Sequence, residues 1–438
     1  MPRDDMFLTS SSCPAYRDAN VLRWLTAYTL SLVGDAIWMV ALGFAAQEVA
    51  GPAQVGMVIA AGAVPRALLM LGGGVVADRF GPGKVVIGSD AARCAIVLGI
   101  AAMLWLTTPG LWLLVVGAVL FGVVDALFMP AVGALPAQLA ALDQIGRIQG
   151  LRMLVIRISW IVGPPLGGLA MAYGGAAAAL GAAGLLFALS VPLLMALRLR
   201  SLPADDEVGS TVPQSAWSEL VDGLRYIRRH RVIGPLMVSG AMSELGTNGL
   251  LTVGLIELSR DQGWGPSGFG WVAGGFGLGQ AVCAALLAVR GRVARAGLVQ
   301  NVMLVVGSAA VGAVAFMPTL AAAVALSLLS GLLCGMCGGL AIALIQTSTE
   351  PGYLGRVTSA MSLTGVGLTP LSFPLFGAAI SAWGAQPVYV IGAAFSALGA
   401  VAGLSSAAVR RAELPRLPGG KDTRKPVPES ARIPDEAS

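Results

Sequence analysis

The sequence predicts an all-α membrane protein with twelve transmembrane helices. Three observations carry that expectation. Of the 438 residues, 56% are hydrophobic and only 12% charged, with a mean hydropathy of +0.79; a soluble protein carries about twice that charged fraction. Apolar runs of membrane-crossing length recur from residue 21 to residue 409. The chain also holds 59 glycines, the small residues through which membrane helices pack closely.

Charges, prolines and glycines divide the apolar sequence into spans near 21–49, 53–77, 84–106, 110–136, 147–172, 176–198, 232–257, 267–289, 297–316, 319–345, 357–382 and 387–409. Residues 1–20 form a polar N-terminal tail without the short apolar core of a cleavable signal. Residues 410–438 are charged and proline-rich, the composition of a disordered tail. Arg17, Arg23, Arg79, Lys84, Arg147, Arg198, Arg356 and Arg410 all fall on one side of this topology, while Arg260 alone falls in an opposite loop. The excess of basic residues places that side, and both chain ends, in the cytoplasm of a plasma-membrane protein.

Several function classes lose their chemistry at this stage. One histidine, His230, lies outside every span and leaves no material for a metal site or histidine catalysis. Five scattered cysteines sit mostly in apolar runs, where they read as small packing residues. A phosphate-binding loop of the nucleotide-hydrolysing type is missing from the sequence. No cofactor and no nucleic acid is implied, an intramembrane enzyme is the weaker alternative, and the expectation is a monomer in the lipid bilayer.

The connector from 199 to 231 is longer than the others. After a polar stretch it carries Trp217, Leu220, Val221, Leu224 and Ile227 at helical spacing, with arginines on the other face, which reads as an amphipathic helix at the membrane surface. It separates 21–198 from 232–409. A shift of 209 residues superposes Gly122, Gly146, Arg147, Pro165 and Gly168 on Gly331, Gly355, Arg356, Pro374 and Gly377, and Asp35 on Glu244. This is the signature of a parallel internal repeat about an axis along the membrane normal.

Between the second and third spans stands Gly74-Val75-Val76-Ala77-Asp78-Arg79-Phe80-Gly81, with Lys84 following. Glycines before it let helices approach, Asp78 and Arg79 can bond the groups freed at a helix end, and Gly81-Pro82-Gly83 turns the chain. The fifth span carries Ser159 followed by Gly163-Pro164-Pro165-Leu166-Gly167-Gly168, whose prolines bend the helix and whose glycines allow tight contact at the bend; a plain packing kink is the competing reading. The first pattern resembles the gating loop of the major facilitator superfamily of transporters, with Pro82 and Gly83 where the usual basic pair stands. The second resembles the antiporter motif of that superfamily, with Ser159 for its first glycine. Asp222-Gly-Leu-Arg-Tyr-Ile-Arg-Arg-His230 resembles the mid-loop of its efflux branch.

Ionisable residues inside spans cost on the order of 3 kcal/mol each and therefore mark pathways or pairs. Asp35, Glu244 and Asp125 rank in that order as proton-coupling acids, because a carboxyl group held away from water can exchange a proton near neutral pH. Arg66, at a depth similar to Asp35, is expected to pair with it or to approach it in one state of the cycle, and Arg157 is the expected partner of Asp125. Asp90 and Arg93 are grouped with the gating loop, while Glu48 and Glu257 are placed at the outer boundary as solvated acids. Trp38, Met39, Met70, Phe128 and Asn248 are candidates for a substrate lining.

The resemblance implies two six-helix bundles around a central cavity, working by alternating access. It implies proton-coupled efflux of a small amphipathic compound such as an antibiotic or siderophore. A proton-coupled nutrient importer of the same fold is the alternative.

Overall fold

The computed structural model describes residues 16–107, 110–139, 144–199, 216–290 and 293–414, and all regular structure among them is helical. The first helices are α1 (Ala19–Val49), α2 (Pro52–Phe80), α3 (Pro82–Leu106), α4 (Leu111–Leu139) and α5 (Ile145–Met195). The linker helix α6 (Ala216–Arg229) follows. The remainder are α7 (Ile233–Gly249), a π-helical turn (Leu250–Gly254), α8 (Leu255–Asp261), α9 (Gly265–Arg290), α10 (Ala296–Ala313), α11 (Leu320–Ser348), α12 (Leu354–Trp383), α13 (Ala385–Ser405) and α14 (Ala407–Arg411). Ten helices among the described residues are long and apolar enough to cross a membrane.

Local sequence explains where these helices begin and end. Asp18 caps α1 by accepting from Asn20 N at 2.8 Å. The Asn20 side chain in turn bonds the backbone of Arg198 in both directions, at 2.8 and 3.0 Å, tying the start of α1 to the end of α5. Gly81, at φ 84°, makes the whole turn between α2 and α3, since Pro82 already opens the next helix. Asp78 and Arg79 therefore sit in the last turn of α2, not in a loop. The 51 residues of α5 are interrupted at Gly175, whose φ of 68° and ψ of −170° no helix can hold, so the chain reverses there.

Helix packing before and after the linker uses the same devices. A Cβ on Gly122 of α4 would lie 2.0 Å from Gly62 O of α2, and one on Gly331 of α11 would lie 2.1 Å from Phe276 O of α9. At these two crossings backbone meets backbone, which only glycine permits. The helices before and after the linker touch where α5 meets α9 and α2 meets α12. Gly168 faces Pro266 O and Gly377 faces Pro52 O, both closer than a methyl group allows. On α1, Phe44 packs edge-on against Phe269 of α9 at 5.6 Å. All of these contacts lie in the parts of the helices remote from the start of α1 and the end of α13. These close contacts between the two sets of helices lie towards the end opposite the chain termini, while the α5–α9 seam continues along both helices to Gly277 against Trp160 O and to Arg157 with Gln280.

Linker helix α6 packs on the later helices. Tyr226 stacks on Tyr353 at 4.2 Å, its hydroxyl accepts from Glu350 N at 3.3 Å, and Ile227 is buried. Val221 and Leu224 stay exposed, so only part of the predicted apolar face is used here; Trp217 and Leu220 lie outside the described side chains. His230 closes the linker by accepting the backbone N–H groups of Val232 and Ile233 on Nδ1, at 3.3 and 3.2 Å. The tail predicted from 410 begins as helix: α14 holds Arg410 and Arg411, and Gly297 N donates to Ala412 O. Residues 415–438 lie outside the described residues.

Candidate functional site

Four of the deep charges occupy one level. Asp35, Arg66, Arg93 and Asp125 each stand thirteen or fourteen residues from the end of their helix that is remote from the chain termini. At 1.5 Å per residue that is about 20 Å, deep inside a hydrocarbon layer of roughly 30 Å.

Arg93 is the centre of the group. It is fully buried, and its Nη1 donates to Asp35 Oδ1 at 2.8 Å and approaches Asp125 Oδ1 at 3.4 Å. Its Nη2 donates to Asp90 Oδ1, one helical turn back on the same face of α3. The other oxygen of Asp90 accepts the hydroxyls of Ser31 on α1 and Ser190 on α5. Aromatic rings wall the guanidinium: its carbon lies 3.8 Å from the centre of Phe128, 5.0 Å from Phe187 and 6.0 Å from Phe121. A planar cation that spans three carboxyls while lying on a ring is a task for arginine and not lysine. Asp125 is held a second time by Arg66 Nε at 3.0 Å.

Three carboxyl groups thus meet two guanidinium groups, leaving one negative charge in excess when all are ionised. Their access to the exterior differs. Asp90 is fully enclosed and Asp125 nearly so, whereas the Asp35 side chain is 25% exposed and the Arg66 side chain 45%. Asp35 is the carboxyl with access to the exterior and with a single cation against it.

Several sequence expectations need correction here. Asp35 does not pair with Arg66 in this structure. On either side of Arg66, Gly62 and Gly73 lie against Ala118 O and Ala126 O of α4, so α2 turns that face to α4 and Arg66 meets Asp125. Arg157 does not reach Asp125 either. It lies on the α5 face turned to α9 and donates to Gln280 Oε1 at 3.1 Å. Asp90 and Arg93 do not belong with the gating loop, because α3 starts directly at Pro82 and eleven residues carry Arg93 about 16 Å along it. Trp38 and Phe128 are core: Trp38 is 4% exposed and stacks on Phe121 at 4.7 Å, while Phe128 is 1% exposed. Glu257 is buried rather than solvated.

The remaining named positions fall into two groups. On α2 and α3, Gly74 opens on nothing within 4 Å, and Asp78, Arg79 and Lys84 are exposed around the Gly81 turn. On α5, a Cβ on Gly163 would meet Ala36 of α1 and one on Gly167 would meet Ile37 and Val40, while Pro164 is buried and its carbonyl lies against Gly270 of α9. The glycine–proline segment is therefore where α5 is held between α1 and α9.

Among the later helices, Glu244 is exposed and accepts from Asn248 Nδ2 at 2.6 Å, and that amide also reaches Thr369 Oγ1 of α12 at 3.3 Å. Met39 packs against the core and Met70 is half-buried. The aromatic box and the two serines on Asp90 had no readable signal in the sequence. The Asp90–Arg93 spacing was one, since it puts an acid and a base on a single helix face.

Comparison with known proteins follows the same lines. The chain matches the family model described as Major Facilitator Superfamily over residues 24–364 and again over 236–434. It is 27% identical over 392 residues to the multidrug efflux pump Tap of Mycobacterium tuberculosis, covering 84% of this chain and 88% of that protein. It is 26% identical over 395 residues to the enterobactin exporter EntS of Salmonella typhimurium, covering 85% and 89%. Among solved structures it resembles the nucleoside transporter NupG, with a TM-score of 0.68 at 15% identity over 89% of this chain and 99% of that one. It also resembles a bacterial homologue of the human lysosomal transporter Spinster in an inward-facing, occupied conformation, with a TM-score of 0.65 at 14% identity over 91% and 97%.

Proposed function

The chain belongs to the Major Facilitator Superfamily and is a multi-pass membrane transporter, not an enzyme, and on that footing we propose that it exports a small amphipathic compound in exchange for protons. The observation that carries the proton is the charge balance around Arg93. With three carboxyls against two guanidinium groups, the cluster is neutral only when one carboxyl is protonated, and an uncompensated buried charge is costly. Asp35 takes that proton because it alone of the three acids is substantially accessible. Export, and an antibiotic or siderophore as cargo, is supported by the names of the efflux relatives.

In this reading the spans number twelve, with α5 supplying two and α7 through α8 one. Residues 21–198 and 232–409 are pseudo-symmetric bundles joined by 199–231, both chain ends are cytoplasmic, and the protein works as a monomer in the plasma membrane. The halves meet at the outer end, so the carrier is open to the cytoplasm with Asp35, Arg66 and Glu244 towards the opening. Cargo enters between the halves, the outer contacts part as the inner ends close, and a proton arriving from outside on Asp35 resets the cycle. Glu244, whose hydrogen bond among the described residues comes from a neutral amide, is the acid in the second half that a cargo or a second proton would meet.

Purified protein in vesicles with an acidic lumen, offered cationic and neutral amphipathic antibiotics, tests the proposal. Cargo accumulates in the acidic lumen by antiport. Asp35→Asn abolishes this accumulation without loss of the folded protein, and Glu244→Gln is the matching test in the second half. Wild-type accumulation by Asp35→Asn removes Asp35 from the mechanism, and cargo leaving the lumen together with protons assigns import.

A further inference from the structure

A second buried carboxyl, outside the Arg93 cluster, stands at the closed end. Glu257 of α8 is 3% exposed, and its enclosed Oε1 has no hydrogen-bond partner among the described residues. Its Oε2 is 3.6 Å from Arg260, whose own side chain is 59% exposed and shared with water. Across the seam, Gln47 of α1 donates to Ile256 O at 3.4 Å, bringing its neutral amide beside Glu257. One residue earlier, Ile256 seats its Cδ1 on Gly43 of α1, where an added Cβ would lie 2.4 Å away.

The charged surroundings are sparse. On its own helix Glu257 faces Arg260 and Asp261. Helix α1 offers the uncharged Gln47, the start of α9 has no titratable side chain, and Tyr389 on α13 donates its hydroxyl to Leu250 O at 3.0 Å. The π-helical turn Leu250–Gly254 lies directly before α8; such turns are places where a helix rearranges and are frequent at functional sites.

We propose that Glu257 is a positioning residue of the outer gate: contact between α1 and α8 completes only when its carboxyl is neutral, so external protons license closure. The inference rests on the alternating-access reading above. With the gate shut, an ionised Glu257 would keep one enclosed oxygen without a hydrogen bond, its charge offset only by the exposed Arg260 guanidinium 3.6 Å from the other oxygen and by the neutral Gln47 amide, a costly arrangement for a buried charge. With the gate open, the same group is hydrated and Ile256 leaves its seat on Gly43. Outside acidity therefore favours the shut form and outside alkalinity the open form. The proton on Glu257 returns to the outer side on reopening, which makes the residue a gate sensor and not a second carrier of protons.

Spin labels on Thr107→Cys and Phe316→Cys, exposed positions on opposite sides of the seam at its outer end, report the gate by double electron–electron resonance between pH 5 and 8.5. The full-length protein is used in nanodiscs. The short-distance population is expected to grow as pH falls in the wild type, to stay high at every pH in Glu257→Gln, and to regain its pH dependence in Glu257→Asp. The distances need neither cargo nor proton flux, so they remain readable if the Asp35 assignment fails. A pH response retained by Asp35→Asn and lost by Glu257→Gln supports the proposal. A response retained by Glu257→Gln, or no response in the wild type, overturns it.

Discussion

Replacing Arg93 by methionine keeps a long apolar stem against Phe128 and removes the guanidinium. Asp125 retains Arg66 at 3.0 Å and Asp90 retains two serine hydroxyls, but Asp35 loses its cation and fully buried Asp90 keeps an unbalanced charge. Removing one member of a buried ion pair costs about 3–5 kcal/mol. At about 2.1 cal/mol/K per residue, the unfolding entropy of 438 residues turns that into a fall of about 3–5 °C in the thermal midpoint of the protein in detergent. The same substitution combined with Asp90→Asn separates charge balance from simple packing. Asparagine still accepts the hydroxyls of Ser31 and Ser190 but no longer needs a cation, so the double variant should be less destabilised than the sum of the singles by about 2 kcal/mol. Thermal unfolding of all four proteins in one detergent closes the cycle. Additive losses, or an Arg93→Met midpoint equal to wild type, would refute the view that the cluster is a single electrostatic unit.

Two further outcomes follow from the packing. In Gly168→Ala the new methyl would lie 2.3 Å from Pro266 O, a backbone atom that cannot step aside; the variant should hold this seam apart, and a membrane-impermeant maleimide should label a cysteine placed at Ser267 faster than in the wild-type background. Equal labelling rates would count against that seam as the point of closure. Trp38→Ala empties a buried site stacked on Phe121 and should cost about 3–5 kcal/mol while leaving the range of transported compounds unchanged; a changed cargo profile at wild-type stability would return Trp38 to the cavity wall.

In the exchange proposed above, the Arg93 cluster and Glu257 would serve different steps. The first is a deep group with one charge too many, whose neutrality depends on a single accessible acid. The second is a shallow group at the seam, whose enclosure depends on contact between the halves. Both exploit the same rule, that a charge removed from water must be paired or lost, at different depths and for different steps.

The sequence alone determined what membrane hydrocarbon imposes. Apolar runs must span as helices because no backbone group can be left unbonded in lipid, so the all-helical fold and the turn at Gly81 were legible, as was the placement of Asp35 and Asp125 inside apolar spans. What only the tertiary structure decided was which charges meet. Depth along a helix is a matter of counting, and Asp35, Arg66, Arg93 and Asp125 share one level. The azimuth of each side chain depends on which helix faces which, and that is fixed by close glycine crossings between segments far apart in the chain. Gly62 and Gly73 turn Arg66 to Asp125, Gly277 and its neighbours turn Arg157 to Gln280, and the closed seam at Gly43 turns Glu257 from a surface acid into a buried one. Periodicity carries the first kind of information; the second resides in contacts between helices that no local pattern records.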